Sequence, residues 1–308
     1  MAWSSHRAAP MPTAVFVAAV SLFLLLPLCA VRHALAQETG RRVTYEQAEF
    51  TYRSGADNGP DRWGLLRADW ATCYWGRLQS PISLPGDTGP VTGHRIGRLT
   101  SSYRPSPATL VNRGHDIMVR FEGNAGSLLL DGVAYKLRQM HWHSPSEHAL
   151  HGRRYDLELH MLHQSGGDDR PGSGKYAVVA QLFEIGDHRD ETLHMLEPYL
   201  ERIAGRRKGH EEWIDYEVDP RRPVRGSDEY YRYTGSFTTP PCTEGIVWVV
   251  ATRVRRVSRH QVELLREAVH DHARRNARPL QEANGRPVGL YYNWASSLTS
   301  QDEVGRRN

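Results

Sequence analysis

The chain lacks a glycine period, a sustained heptad and any large excess of one charge. These absences exclude collagen-like, coiled-coil and fully disordered proteins, each of which depends on one such pattern. Its 39 Lys and Arg stand against 35 Asp and Glu, scattered along the chain. They are not gathered into one stretch, so nucleic acid is not expected as a partner. There is no Asn-x-Ser/Thr sequon, and N-glycosylation is not expected. Only one long apolar run exists, Ala14 to Leu28, behind a short segment carrying Arg7. It is shorter than the roughly 20 residues a bilayer span needs, and the small-residue triplet Ala34-Leu35-Ala36 follows it. A secretory signal peptide over 1–36, cut near Gln37, fits this pattern better than a retained anchor. After cleavage no membrane span remains, and an extracellular or apoplastic location is expected, with a plastid reached through the secretory route as the alternative.

Cysteine is scarce, with 3 in the chain. Cleavage would remove Cys29 and leave Cys73 and Cys242, and an even count in an exported chain predicts one disulfide. Most periodic segments of the mature chain alternate: 117–121, 128–130, 135–138, 157–161, 177–183 and 246–254 read as strands. Helical spacing occurs at 191–203 and at 258–274, where Ser258 can cap. No repeat or composition shift divides the chain. The reading is a short N-terminal segment over 37–44, one mainly β domain with a few short helices over 45–293, and a polar tail over 294–308.

Six of the 16 histidines fall between His141 and His163, a density that suits metal chemistry. Side chains two apart on a strand share a face, so His141 and His143 can reach one ion. His160 lies in the alternating segment 157–161, which can return as an antiparallel neighbour and supply a third imidazole. Three neutral imidazoles and an open fourth position describe a catalytic zinc site, Zn2+ being the cofactor. Gln139 and Glu158 each stand two residues before a ligand, on the same face, where they can accept its outer N–H. His148, His151 and His163 are left as surface or core residues. A cupin-type dioxygenase barrel is the rival, because His141-x-His143-x-x-x-Glu147 matches part of its metal motif. It lacks the glycine six residues before His141 and any later Gly-x-x-His-x-x-x-Asn.

A second constellation, Gly235-Ser236-Phe237-Thr238-Thr239-Pro240-Pro241-Cys242, stands ahead of Glu244 and Trp248. With Gln79-Ser80-Pro81-Ile82, Asn112-Arg113-Gly114-His115, Gln139 to His143, Ser146-Glu147-His148, Glu158-Leu-His160 and Asn276-Ala-Arg278-Pro279, the chain resembles the α-class carbonic anhydrases, in the form of their plant and bacterial branches. The resemblance runs from about Tyr52 to about Tyr292. It implies a central, twisted, mostly antiparallel sheet of about ten strands with peripheral helices. The implied reaction is reversible hydration of CO2 to bicarbonate by zinc-bound hydroxide, with ester hydrolysis as a side reaction.

On this resemblance His141, His143 and His160 hold zinc, supported by Gln139 and Glu158. Thr238, with Thr239 beside it, accepts from the nucleophile and turns its own hydroxyl to Glu147. Leu162, Val178, Ile246 and Trp248 form an apolar wall for CO2, and His115 matches the proton relay. Exported members share a cysteine pair at Cys73 and Cys242. Phe237 stands where most members carry Leu and implies a crowded pocket. Some members, tuber storage proteins among them, keep the fold with weak catalysis, so a storage or carbohydrate-binding relative is the alternative.

Overall fold

The computed structural model describes residues 50–85, 99–166, 174–269, 274–292 and 295–296. The expected signal peptide, the segment 37–44 and residues 297–308 lie outside the described residues. Nine strands form the path of one sheet: β1 (Ala108–Asn112), β2 (Ile117–Phe121), β3 (Val133–His143), β4 (Leu157–Gln164), β5 (Tyr176–Ile185), β6 (Glu211–Trp213), β7 (Glu229–Ser236), β8 (Glu244–Ala251) and β9 (Gly289–Tyr292). Their order in space is β6-β1-β2-β3-β4-β5-β8-β7-β9, and four short strands bring the sheet to 13 among the described residues. Every neighbouring pair on the path is antiparallel except β5 with β8. The pairing of Ala295–Ser296 with Thr100–Ser101 carries the sheet past the expected domain end at 293.

The alternation that predicts these strands sorts their side chains onto two faces. Leu157, Leu159 and Met161 of β4, with Ala177 and Val179 of β5, enter one apolar core. Val178, Ala180 and Leu182 of β5, with Ile246, Trp248 and Val250 of β8, enter another. Strand β3 is the instructive case. Tyr135 and Leu137 face the first core, but so do Met140 and Trp142, because the register shifts at Arg138 between Leu137 and Gln139. One extra residue changes which parity points inward. It leaves Gln139, His141 and His143 on the face opposite the first core.

Among the described residues, four short α-helices lie at the periphery: α1 (Trp63–Leu66), α2 (Thr72–Trp75), α3 (Glu191–Ile203) and α4 (Arg259–Ala268). α3 spans the predicted residues, with Asp190 accepting from the Leu193 N–H as its N-cap and Leu193, Leu196, Leu200 and Ile203 buried. α4 starts as predicted, on a reciprocal capping box between Ser258 and Gln261, and ends at Ala268, short of the expected 274. Gln261 also exchanges hydrogen bonds with the Asp190 backbone, which ties the two helix starts together. Cys73 of α2 and Cys242 form the predicted disulfide, with Cα atoms 5.0 Å apart across a sequence separation of 169. Phe50, Trp63 and Trp70 pack around it.

Candidate metal centre

The β3–β4 pairing sets His141 directly opposite His160 and His143 opposite Glu158. His141 and His143 point the same way because they are two apart after the bulge, and His160 meets them across the ladder. The three rings lie 4.6 to 5.1 Å apart, centroid to centroid. One ring nitrogen from each falls within 4.8 Å of the others. The juxtaposition expected from spacing alone is therefore made by the ladder itself.

The other nitrogen of each ring is engaged. His141 Nδ1 donates to Gln139 Oε1 at 2.8 Å, and His160 Nε2 to Glu158 Oε1 at 2.7 Å, the two partners expected from sequence. His143 Nδ1 donates to the main-chain carbonyl of Asn276 at 2.7 Å, a partner that sequence spacing cannot reveal. These bonds fix the tautomers so that the three inner nitrogens carry lone pairs. His143 Nε2 is fully buried and has no hydrogen-bond partner, which costs free energy unless something accepts its lone pair. Burial holds the pKa of His141 well below the usual imidazole value and lowers that of His160. Neutral imidazoles with inward lone pairs and one orphaned nitrogen fit a zinc ion.

A cavity of about 190 Å³ opens on this cluster. Gln139, His141 and His160 line one part, Thr238 and Thr239 another, and Leu162, Val178, Phe237 and Trp248 make an apolar wall. Leu162 and Val178 are register partners on β4 and β5, and Val178 is level with Trp248 on β8. Three adjacent strands thus supply Leu162, Val178 and Trp248, and Phe237 joins them from the loop between Ser236 and Glu244. Gly235 permits the approach of the next strand, β7: a Cβ there would lie 2.1 Å from Ser80 Oγ and 2.9 Å from Trp248 Cδ1. Phe237 is held edge-on by Tyr176, with ring centroids 5.2 Å apart.

The family profile described as eukaryotic-type carbonic anhydrase matches residues 58–292. The chain belongs to the α-class carbonic anhydrase family. Alpha carbonic anhydrase 7 of Arabidopsis thaliana is 45% identical over 276 residues, covering 90% of this chain and 94% of that relative. Among solved structures, dioscorin complexed with ascorbate superposes with a TM-score of 0.73 at 43% identity, covering 80% of this chain and 99% of dioscorin. The α-carbonic anhydrase from Thermovibrio ammonificans with the inhibitor sulfanilamide gives 0.67 at 30% identity, covering 78% and 97%. The mainly β fold with peripheral helices is the fold of these α-carbonic anhydrases.

Three expected details of the site come out differently. Ile246 is buried in the second core but does not line the cavity. The Thr238 hydroxyl does not bond Glu147: Glu147 Oε1 accepts the Arg278 N–H at 2.8 Å, and Oε2 has no hydrogen bond. Oε2 instead turns to the imidazoles, 3.6 Å from His143 Nε2 and 4.0 Å from His160 Nδ1. Finally, His115 packs against Phe50 at 5.3 Å and does not line the cavity. Burial pushes its pKa down to about 4, against the partial opposition of Asp116, so it does not keep the near-neutral value expected of a relay.

For several further residues, most of them inside the sequence motifs, the partners come only from the folded chain. His148, left as surface or core, is fully buried; its Nδ1 donates to Glu158 Oε1 at 2.6 Å and its Nε2 accepts from the Tyr233 hydroxyl at 2.7 Å. Ser80 Oγ bonds the same hydroxyl at 2.9 Å. Burial alone raises the Glu158 pKa, but its bonds and charge interactions with His148 and His160 outweigh that and hold it well below the usual range. Arg278 donates to Gln79 Oε1, Ser80 O and Cys73 O, joining the Gln79-Ser80 segment to the disulfide helix. Arg113 lines the cavity and is gripped at two points by the buried Asp116. The motifs Ser146-Glu147-His148 and Asn276-Ala-Arg278-Pro279 flagged some of these positions, but no periodicity announces what they bond.

Proposed function

We propose that this protein is a zinc-dependent carbonic anhydrase that hydrates CO2 reversibly to bicarbonate and a proton. The observation that supports this most strongly is the set of three imidazoles with outer nitrogens engaged and inner nitrogens turned together at a cavity with one apolar side. His141, His143 and His160 would hold the zinc, and Gln139, Glu158 and the Asn276 carbonyl keep their tautomers. Zinc, when bound, acts as a Lewis acid that brings the pKa of a coordinated water to about 7, a value established for carbonic anhydrases in general. The apolar wall of Leu162, Val178, Phe237 and Trp248 receives uncharged CO2 and excludes ordered water. Thr238 and Thr239 present hydroxyls at the other side, where they accept and donate hydrogen bonds to the reacting oxygens. Glu147, tied by Oε1, keeps Oε2 as a hydrogen-bond acceptor facing the cluster. Export behind a cleaved signal peptide belongs to the same reading, and N-terminal sequencing of secreted protein should begin at or near Gln37.

A second reading, a family relative with weak catalysis serving storage or carbohydrate binding, is favoured by the low pKa of His115 and by Phe237 on the cavity wall. A CO2 hydration assay on the mature chain, with and without a chelator, separates the two. Chelator-sensitive hydration supports the enzyme. Full zinc occupancy with no hydration above background supports the relative. Failure of His160→Ala to lower zinc content would remove the metal assignment altogether.

A further inference from the structure

Asn276 does more than lend a carbonyl to His143. Its side chain is buried and every polar atom of it is used. Oδ1 accepts the Ser144 N–H at 2.7 Å, while Nδ2 donates to the Trp142 carbonyl at 3.1 Å and to the His115 carbonyl at 2.9 Å. Its backbone N–H donates to the Ser144 carbonyl at 3.1 Å. The peptide units on both sides of His143 are therefore clamped to one residue 133 positions away, and the same amide reaches the turn that follows β1. Two residues on, the Arg278 N–H holds Glu147. The segment 276–278 thus lies along 142–147 as a splint.

We infer that the Asn276 side-chain amide is a positioning residue for the metal centre, aiming the His143 ring by fixing the backbone on either side of it and coupling it to the His115 turn. The physical reason is geometric. A single hydrogen bond at Nδ1 fixes the tautomer of a ring but leaves the strand end beneath it free to twist. Here β3 ends at His143, and past it the Ser144 hydroxyl holds the Asp156 carbonyl at 2.8 Å without bonding the peptide units next to the ring. The Asn276 amide bonds those two peptide units, at the Trp142 carbonyl and the Ser144 N–H. Its orientation is also determined: the oxygen faces a donor and the nitrogen faces two carbonyls, so exchanging them would set like against like at three contacts. The inference rests on the zinc reading for its functional meaning, but not for its test.

The test compares Asn276→Asp and Asn276→Ser with the unsubstituted full chain. Asp keeps the shape and the acceptor while removing both donations; Ser removes the reach without introducing a charge. Both retain the main-chain carbonyl that His143 uses, so any change comes from the side chain. Competition with a chelator should show zinc and cobalt bound 10- to 100-fold more weakly, the usual cost of losing such outer support. The visible spectrum of the cobalt form should change shape. In metal-free protein, the His143 ring N–H resonance should broaden or vanish in both variants. A purely structural role would lower the melting temperature yet leave the affinity of folded protein, the cobalt spectrum and the ring signal unchanged, and that result overturns the inference. If Asp does not fold, Ser decides. If unsubstituted protein binds no metal but the ring signal is lost in the variants, positioning of His143 stands and the zinc reading falls.

Discussion

At the scale of single residues, His115 shows how burial changes what a side chain can do. In the unfolded chain its ring takes up a proton near pH 6.5, and burial in the folded protein pushes that value down to about 4, against the opposing charge of Asp116. Between those values the unfolded state holds more protons, so stability rises with pH. The contribution of the neutral ring is complete above about 6.5 and lost as pH falls toward 4, an amount of at most about 3 kcal/mol. His115→Asn should flatten this part of the acid limb, as read by urea denaturation at stepped pH; an unchanged curve would mean that the ring titrates normally. As a relay the ring is mismatched to neutral pH, because it holds a proton too weakly. His115→Ala is accordingly expected to alter CO2 hydration in weak buffer by less than about twofold. A large loss repaired by added imidazole would restore the relay role.

At the scale of elements, strand β3 carries a test of how the three imidazoles are aimed. Deleting Arg138 leaves an unbroken alternation from Tyr135 to His143, so the imidazoles keep their face and zinc stoichiometry should be retained. Deleting Met140 instead turns His141 toward the first core, and zinc should be lost. Metal analysis of the two deletions checks the contrast. The same strand shows what was legible in the sequence. Apolar residues at 135 and 137 and then at 140 and 142 record the phase change, and polar residues at 139, 141 and 143 record the face. β4, β5 and α3 were equally readable, since each has one dry face and one different face. β1 was not, because all five of its residues are buried and no alternation survives. β7 was missed too. The partners of His143 and His148 carry no local signal, since Asn276 and Tyr233 lie far along the chain and meet them only in the fold.

At the scale of the whole molecule, the Cys73–Cys242 bridge ties helix α2 to the loop that follows Thr238 and Thr239. Alkylation of unfolded, unreduced protein should find no thiol at these two positions. Reduction should lower stability by at most about 5 kcal/mol, the chain-entropy limit for so long a loop. The loop also donates inward, from the Cys242 N–H to the Thr239 carbonyl, so reduction should raise hydrogen exchange there before it does in β4. The crossover between β5 and β8 has a consequence in time. His141 and His160 are about 20 residues apart and meet in one antiparallel pair, whereas Val178 and Trp248 are about 70 apart and must wait for the crossover to wrap. During refolding the imidazole pair can therefore assemble, with Leu162 and Val178 already paired beside it, while Trp248 is still missing from the wall. A newly made chain would thus bring two imidazoles together before the cavity beside them is closed.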